Sequence, residues 1–70
     1  MNYMDRLVQI RKQHGKTLAE IAAVLGTSTQ YYQKYEKGKH PLPIEHLITL
    51  CNYYCVSADY VLGIESQAWK

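Results

Sequence analysis

The stretch TLAEIAAVLGTSTQYYQKYEKG, residues 17–38, reads as two short helices joined by a very tight turn. Thr17 followed by Glu20 is a capping box, in which each side chain satisfies an orphan amide at the other's position. Leu18, Ile21, Ala22 and Leu25 then recur at helical spacing and form one apolar stripe. Gly26 follows the last of them, where a left-handed backbone costs glycine little. Ser28 can cap a second helix two residues later. A connection this short forces the two helices to cross steeply.

The rest of the chain places this pair in a small all-α domain. Gly15 ends a first helix, Met4–His14, that turns Leu7 and Ile10 inward. The paired stretch supplies the second and third helices, Leu18–Leu25 and Thr29–Lys37, the latter closed by Gly38. Pro41 and Pro43 make residues 38–43 a loop, because proline lacks an amide donor and pushes its predecessor toward extended backbone. Pro43 can open a fourth helix that runs to Tyr54 with Ile44, Leu47, Ile48 and Cys51 on one stripe. Ser57 can cap a fifth, Ala58–Leu62, stopped by Gly63. The pattern predicts a domain over residues 1–63 and a C-terminal tail over 64–70.

Composition narrows the function classes. An apolar content of 47% suffices for a core, and no run of 18 or more apolar residues spans a membrane. Charged residues interrupt the N-terminal segment, so no secretory pattern is present and a cytoplasmic location is expected. Cys51 and Cys55, four apart on one helix, read as small reduced residues in or near the core. The net charge of +2 is unevenly distributed. Residues 1–40 carry seven Lys and Arg against three acids, whereas residues 41–69 carry three acids and no Lys or Arg. Such polarity gives one basic face and one face free of cations.

On the third helix, Ser28, Tyr32 and Tyr35 share a side that should face the other helices. The opposite side carries Thr29, Gln30, Gln33, Lys34 and Lys37, with no acid among them. Glutamine suits a bidentate contact to adenine, lysine suits guanine acceptors or phosphate, and threonine can offer its methyl to thymine. Tyr31 falls between the two sides, so its hydroxyl can reach a phosphate or its ring can pack on the second helix. A generic solvated helix face is the competing reading of the same stripe.

From Leu7 to Gly63 the chain resembles the lambda-repressor/Cro type of helix-turn-helix, also called the XRE family. The resemblance is carried by Arg11, the run Leu18–Gly26, Ser28, Tyr35-Glu36-Lys37-Gly38-Lys39, Pro43, Leu47 and the run Val56–Gly63. It implies a compact five-helix fold that binds double-stranded operator DNA, usually as a two-fold homodimer, to regulate transcription, most often as a repressor. Ala22 matches the small residue between the second and third helices, and Gly26 the turn glycine. Thr29, Gln30, Gln33 and Lys34 match the base-reading positions. Lys39 and His40 match a loop that lies along the phosphate backbone, where Arg11, Thr17, Ser28, Tyr31 and Lys37 are the further contacts expected. Arg11 and Glu36 match a buried or half-buried ion pair. Relatives usually carry Ile or Val where this chain has Tyr32, so a larger ring must be housed, and many carry Gln or a similar polar group where it has Leu18.

Other chemistry finds little support in the sequence. His14, His40 and His46 form no zinc-ligand spacing with the two cysteines. Paired carboxylates on one helix face, a phosphate-binding glycine loop and a nucleophile with an evident base are all missing from the pattern. No catalytic residue, cofactor or metal is expected. The serious competitor is a protein-interaction module, antitoxin-like or bound by a protein regulator. Seven Tyr and one Trp without Phe is an interface-like aromatic balance. Tyr53, Tyr54, Tyr60 and Trp69 are accordingly expected at a homodimer contact in the cation-free part.

Overall fold

A computed structural model of the chain describes residues 2–64. It contains helices α1 (Tyr3–Gln13), α2 (Leu18–Leu25), α3 (Thr29–Glu36), α4 (Ile44–Tyr54) and α5 (Ala58–Leu62), and no strand occurs among the described residues. Of the expected tail, residues 64–70, only Ile64 is among them, and residues 65–70 with Trp69 lie outside.

Four of the five helix starts are written in a capping side chain. Asn2 accepts from the Asp5 amide at 2.9 Å while the Asp5 carboxylate accepts from the Asn2 amide at 3.3 Å, a capping box that starts α1 one residue before the expected Met4. Thr17 and Glu20 form the same reciprocal pair at α2, at 3.1 and 2.8 Å. Ser28 and Ser57 cap α3 and α5 through their hydroxyls. Pro43 stands just outside α4 with extended backbone, instead of occupying its first turn. No hydroxyl cap is available there.

Gly26 makes the decisive turn. Its φ of 72° is left-handed, and it lets the Thr27 amide reach back to the Ala22 carbonyl at 3.0 Å, closing α2 in a Schellman arrangement. Only Gly26, Thr27 and Ser28 separate the two helices, and the packing of α2 on α3 is the most extensive in the domain. Buried Ala22 presents a minimal side chain at this approach. After α4 the same closure recurs without glycine. Cys55 is left-handed at φ 60°, and the Val56 amide reaches the Cys51 carbonyl at 3.0 Å.

The core unites Met4, Leu7 and Ile10 of α1, Ile21, Ala22 and Leu25 of α2, Tyr32 and Tyr35 of α3, Leu47, Leu50, Cys51 and Tyr54 of α4, and Val61 of α5. The structure overturns three expectations. Ile44 and Ile48 face solvent, at 60% and 54% exposure, so the buried stripe of α4 is Leu47, Leu50, Cys51 and Tyr54. Both stripes have the same helical spacing and share Leu47 and Cys51. The body covers the one that buries the Tyr54 ring, which packs against His14 at 5.0 Å. Tyr54 is therefore core and not a surface aromatic, and Cys55 lies exposed beyond the helix end.

Candidate nucleic-acid interface

Helix α3 is held from behind by aromatic packing and one ion pair. Tyr32 is completely buried, and the larger ring is housed without breaking the helix. Its hydroxyl has no hydrogen-bond partner, nor does that of Tyr54. Burial, reinforced by the nearby Glu36 carboxylate, pushes the Tyr32 hydroxyl far above the usual tyrosine range. Burial also pushes Tyr54 up to about 12, partly offset by the Arg11 charge.

Arg11 of α1 fixes the far end of α3. Its Nε donates to Glu36 Oε2 at 2.8 Å, its Nη2 to Oε1 at 3.2 Å, and its Nη1 to the Lys16 carbonyl at 2.9 Å. The hydrogen bond to Glu36 outweighs desolvation and strengthens the guanidinium's hold on its proton. One side chain thus ties α1, the turn before α2 and the C-terminal end of α3 together. Glu36, the only acid on α3, is turned into this bridge and away from the polar side.

On that polar side Thr29, Gln30 and Lys34 are exposed and Gln33 is half-buried. Lys37, Lys39 and His40 continue the exposed surface into the loop after α3. Thr17 and Ser28 are also exposed, although Ser28 was expected to face the other helices. Its backbone amide precedes α3 and its hydroxyl turns back to accept from the Tyr31 amide at 3.1 Å, which keeps it at the helix rim. The N-terminal amides of α2 and α3 lie beside these two capping residues, and helix N-termini favour anions.

The Tyr31 ring makes a contact that neither expected role includes. Its ring stacks on the His40 imidazole at 5.4 Å with planes 22° apart, and it meets Tyr35 edge-on at 5.3 Å. Nothing in the sequence signalled this pairing, because residues nine apart come together only when the loop folds back. Elsewhere, Arg6 lies over the Tyr60 ring at 5.2 Å and the Lys16 ammonium over Tyr53 at 6.0 Å. The described residues contain no group of His, Cys, Asp and Glu able to hold a metal ion, and no helix long and apolar enough to cross a membrane.

Comparison with known proteins gives a consistent picture. A helix-turn-helix family model matches residues 7–61. The chain is similar to the uncharacterized HTH-type transcriptional regulator YobD of Bacillus subtilis, 37% identical over 62 residues, covering 89% of this chain and 55% of the relative. It is also similar to the transcriptional repressor RstR of the cryptic phage CTXphi of Vibrio cholerae, 33% identical over 63 residues and covering 90% and 56%. A crystal structure of a transcriptional regulator from Listeria innocua superposes with a TM-score of 0.83 at 29% identity, covering 99% of this chain and 64% of that one. The chain spans about half the length of these two curated relatives.

Proposed function

The chain belongs to the helix-turn-helix family, and we propose that it is a sequence-specific DNA-binding regulator of transcription, acting as a repressor. One observation carries this reading: after a three-residue turn, α3 presents an acid-free polar side made by Thr29, Gln30, Gln33 and Lys34, flanked by the exposed Lys37 and Lys39. In this reading α3 enters the major groove and its side chains read base edges. Thr17, Ser28, Lys37, Lys39 and His40 follow the phosphates and set orientation, and the Tyr31 ring packs beside His40. Arg11 serves the contact from inside, since its guanidinium is engaged with Glu36 and Lys16.

A homodimer would place two such helices on half-sites about one helical turn, roughly 34 Å, apart. The surface that favours dimerisation is aliphatic. Ile44, Ile48, Leu62 and Ile64 are all exposed, on elements without Lys or Arg. Tyr53 and Tyr60 lie beneath cations instead, which makes them poorer anchors than the sequence suggested. Sedimentation at micromolar concentration tests the dimer. Ile48→Asp should shift the mass toward that of the monomer, and an unchanged mass removes this surface from the account.

Selection from a random duplex pool tests the main reading. A DNA-binding regulator enriches one sequence family, and its affinity for that sequence falls steeply with salt as counterions are released. A protein-docking module enriches nothing and binds duplexes weakly at every salt concentration.

A further inference from the structure

The geometry points to Tyr31 as a positioning residue that orders two DNA-facing groups with a single ring, resting on the DNA reading above. The ring lies nearly parallel to the His40 imidazole at 5.4 Å and edge-on to Tyr35 at 5.3 Å, with the Lys34 ammonium 5.9 Å from its centroid. Lys34 is on the polar side of α3 and His40 is in the following loop, so the ring joins a base-facing group to a backbone-facing one. Tyr31 is itself 42% exposed, so the arrangement sits at the surface and not in the core.

The loop has few other anchors at this point. The Lys39 amide still reaches the Lys34 carbonyl at 2.9 Å, and Leu42 is buried with its amide 3.4 Å from the Tyr3 hydroxyl. His40, between these anchors, borders an open cleft shared with Tyr3, Asp5 and Lys37. The aromatic face of Tyr31 is what fixes the imidazole plane. Lysine and histidine side chains lose rotamer freedom when they dock, and a preformed stack removes part of that cost before DNA arrives. The same ring face attracts cations, which favours an ordered Lys34. Tyr31 thus contributes through its ring, by way of His40 and Lys34, and its hydroxyl is dispensable.

The test measures affinity for the selected duplex with Tyr31→Phe, Tyr31→Ala, His40→Ala and the double variant Tyr31→Ala/His40→Ala, after melts confirm folding. Tyr31→Phe should bind within about twofold of wild type, and Tyr31→Ala should lose roughly tenfold. In the His40→Ala background the same alanine change should cost clearly less, because residues acting through one contact are not additive. Tyr31→Gln reads the same outcome without the ring if the alanine variant melts early. An equal loss in Tyr31→Phe and Tyr31→Ala would mean that the hydroxyl touches phosphate directly and would overturn the inference. So would additive losses in the double variant, or an unaffected Tyr31→Ala. Failure of the wild type to bind any selected duplex would instead defeat the DNA reading, and this inference with it.

Discussion

Arg11 and Glu36 form a two-pronged ion pair, 2.8 Å at its shorter contact, between residues 25 apart in sequence. Their side chains are only 11% and 10% exposed, so the bridge is screened little and holds the end of the helix that faces outward.

Removing one partner leaves the other charge nearly buried and unmatched. Arg11→Ala and Glu36→Ala should therefore each destabilise the domain by about 3 kcal/mol. In a chain of this size that lowers the thermal midpoint by roughly 12 °C or more. Arg11→Ala also strips the Lys16 carbonyl of its donor and should be the worse of the two. Thermal melts followed by circular dichroism check this, and near-wild-type midpoints would show the pair to be a weak surface contact.

The two orphan tyrosine hydroxyls give an alkaline signature. Both keep their protons to higher pH in the fold than in the unfolded chain, where tyrosine titrates near 10. The unfolded state therefore loses protons first as pH rises. The stability linked to these groups is complete below about pH 10 and declines as pH climbs toward the Tyr54 value of about 12. Tyr32→Phe/Tyr54→Phe should flatten that decline. At neutral pH the change should be small, since neither hydroxyl has a partner to lose. Urea melts across pH 7–11 measure both arms.

Cys55 carries backbone strain that glycine would relieve. A left-handed conformation costs an ordinary L-residue about 1–2 kcal/mol, part of which returns as chain entropy when glycine is present in the unfolded state. Cys55→Gly should stabilise by about 0.5–1 kcal/mol, and Cys55→Val should destabilise. The side chain is exposed, so packing does not confuse the comparison. Denaturant midpoints decide it.

Substitutions on α3 should separate reading from holding. Gln30→Ala or Gln33→Ala should alter which sequences are preferred, at about 1–3 kcal/mol for a bidentate contact. Lys39→Ala should weaken binding evenly across sequences and reduce the salt dependence by about one counterion. Affinity profiles over single-base variants of the selected duplex would show the difference. Because Gln33 is half-buried, a fall in its melting midpoint must be measured alongside.

The order of helices was legible because every helix but α4 is bracketed by residues whose chemistry marks its ends. Thr17 with Glu20, Gly26 and Ser28 define the α2–α3 pair, and Ser57 with Gly63 bracket α5, matching the observed bounds of α2 and α5. The facing of α4 was not legible. Its sequence offers two overlapping stripes, and only the neighbouring helices choose the one ending in Tyr54. The left-handed residue at Cys55 is equally silent, since nothing in a cysteine advertises that conformation. At the candidate interface, residue types and helical spacing brought Thr29, Gln30, Gln33 and Lys34 to one side. The Tyr31–His40 stack depends on how a proline-containing loop returns, which no local pattern encodes.

Chemical-shift mapping of the isotopically labelled protein against its selected duplex probes the interface residue by residue. The largest changes are expected at Thr29, Gln30, Gln33 and Lys34, continuing into Lys37, Lys39 and His40. Changes concentrated instead around Ile44, Ile48 and Leu62, with α3 unmoved, would contradict this assignment.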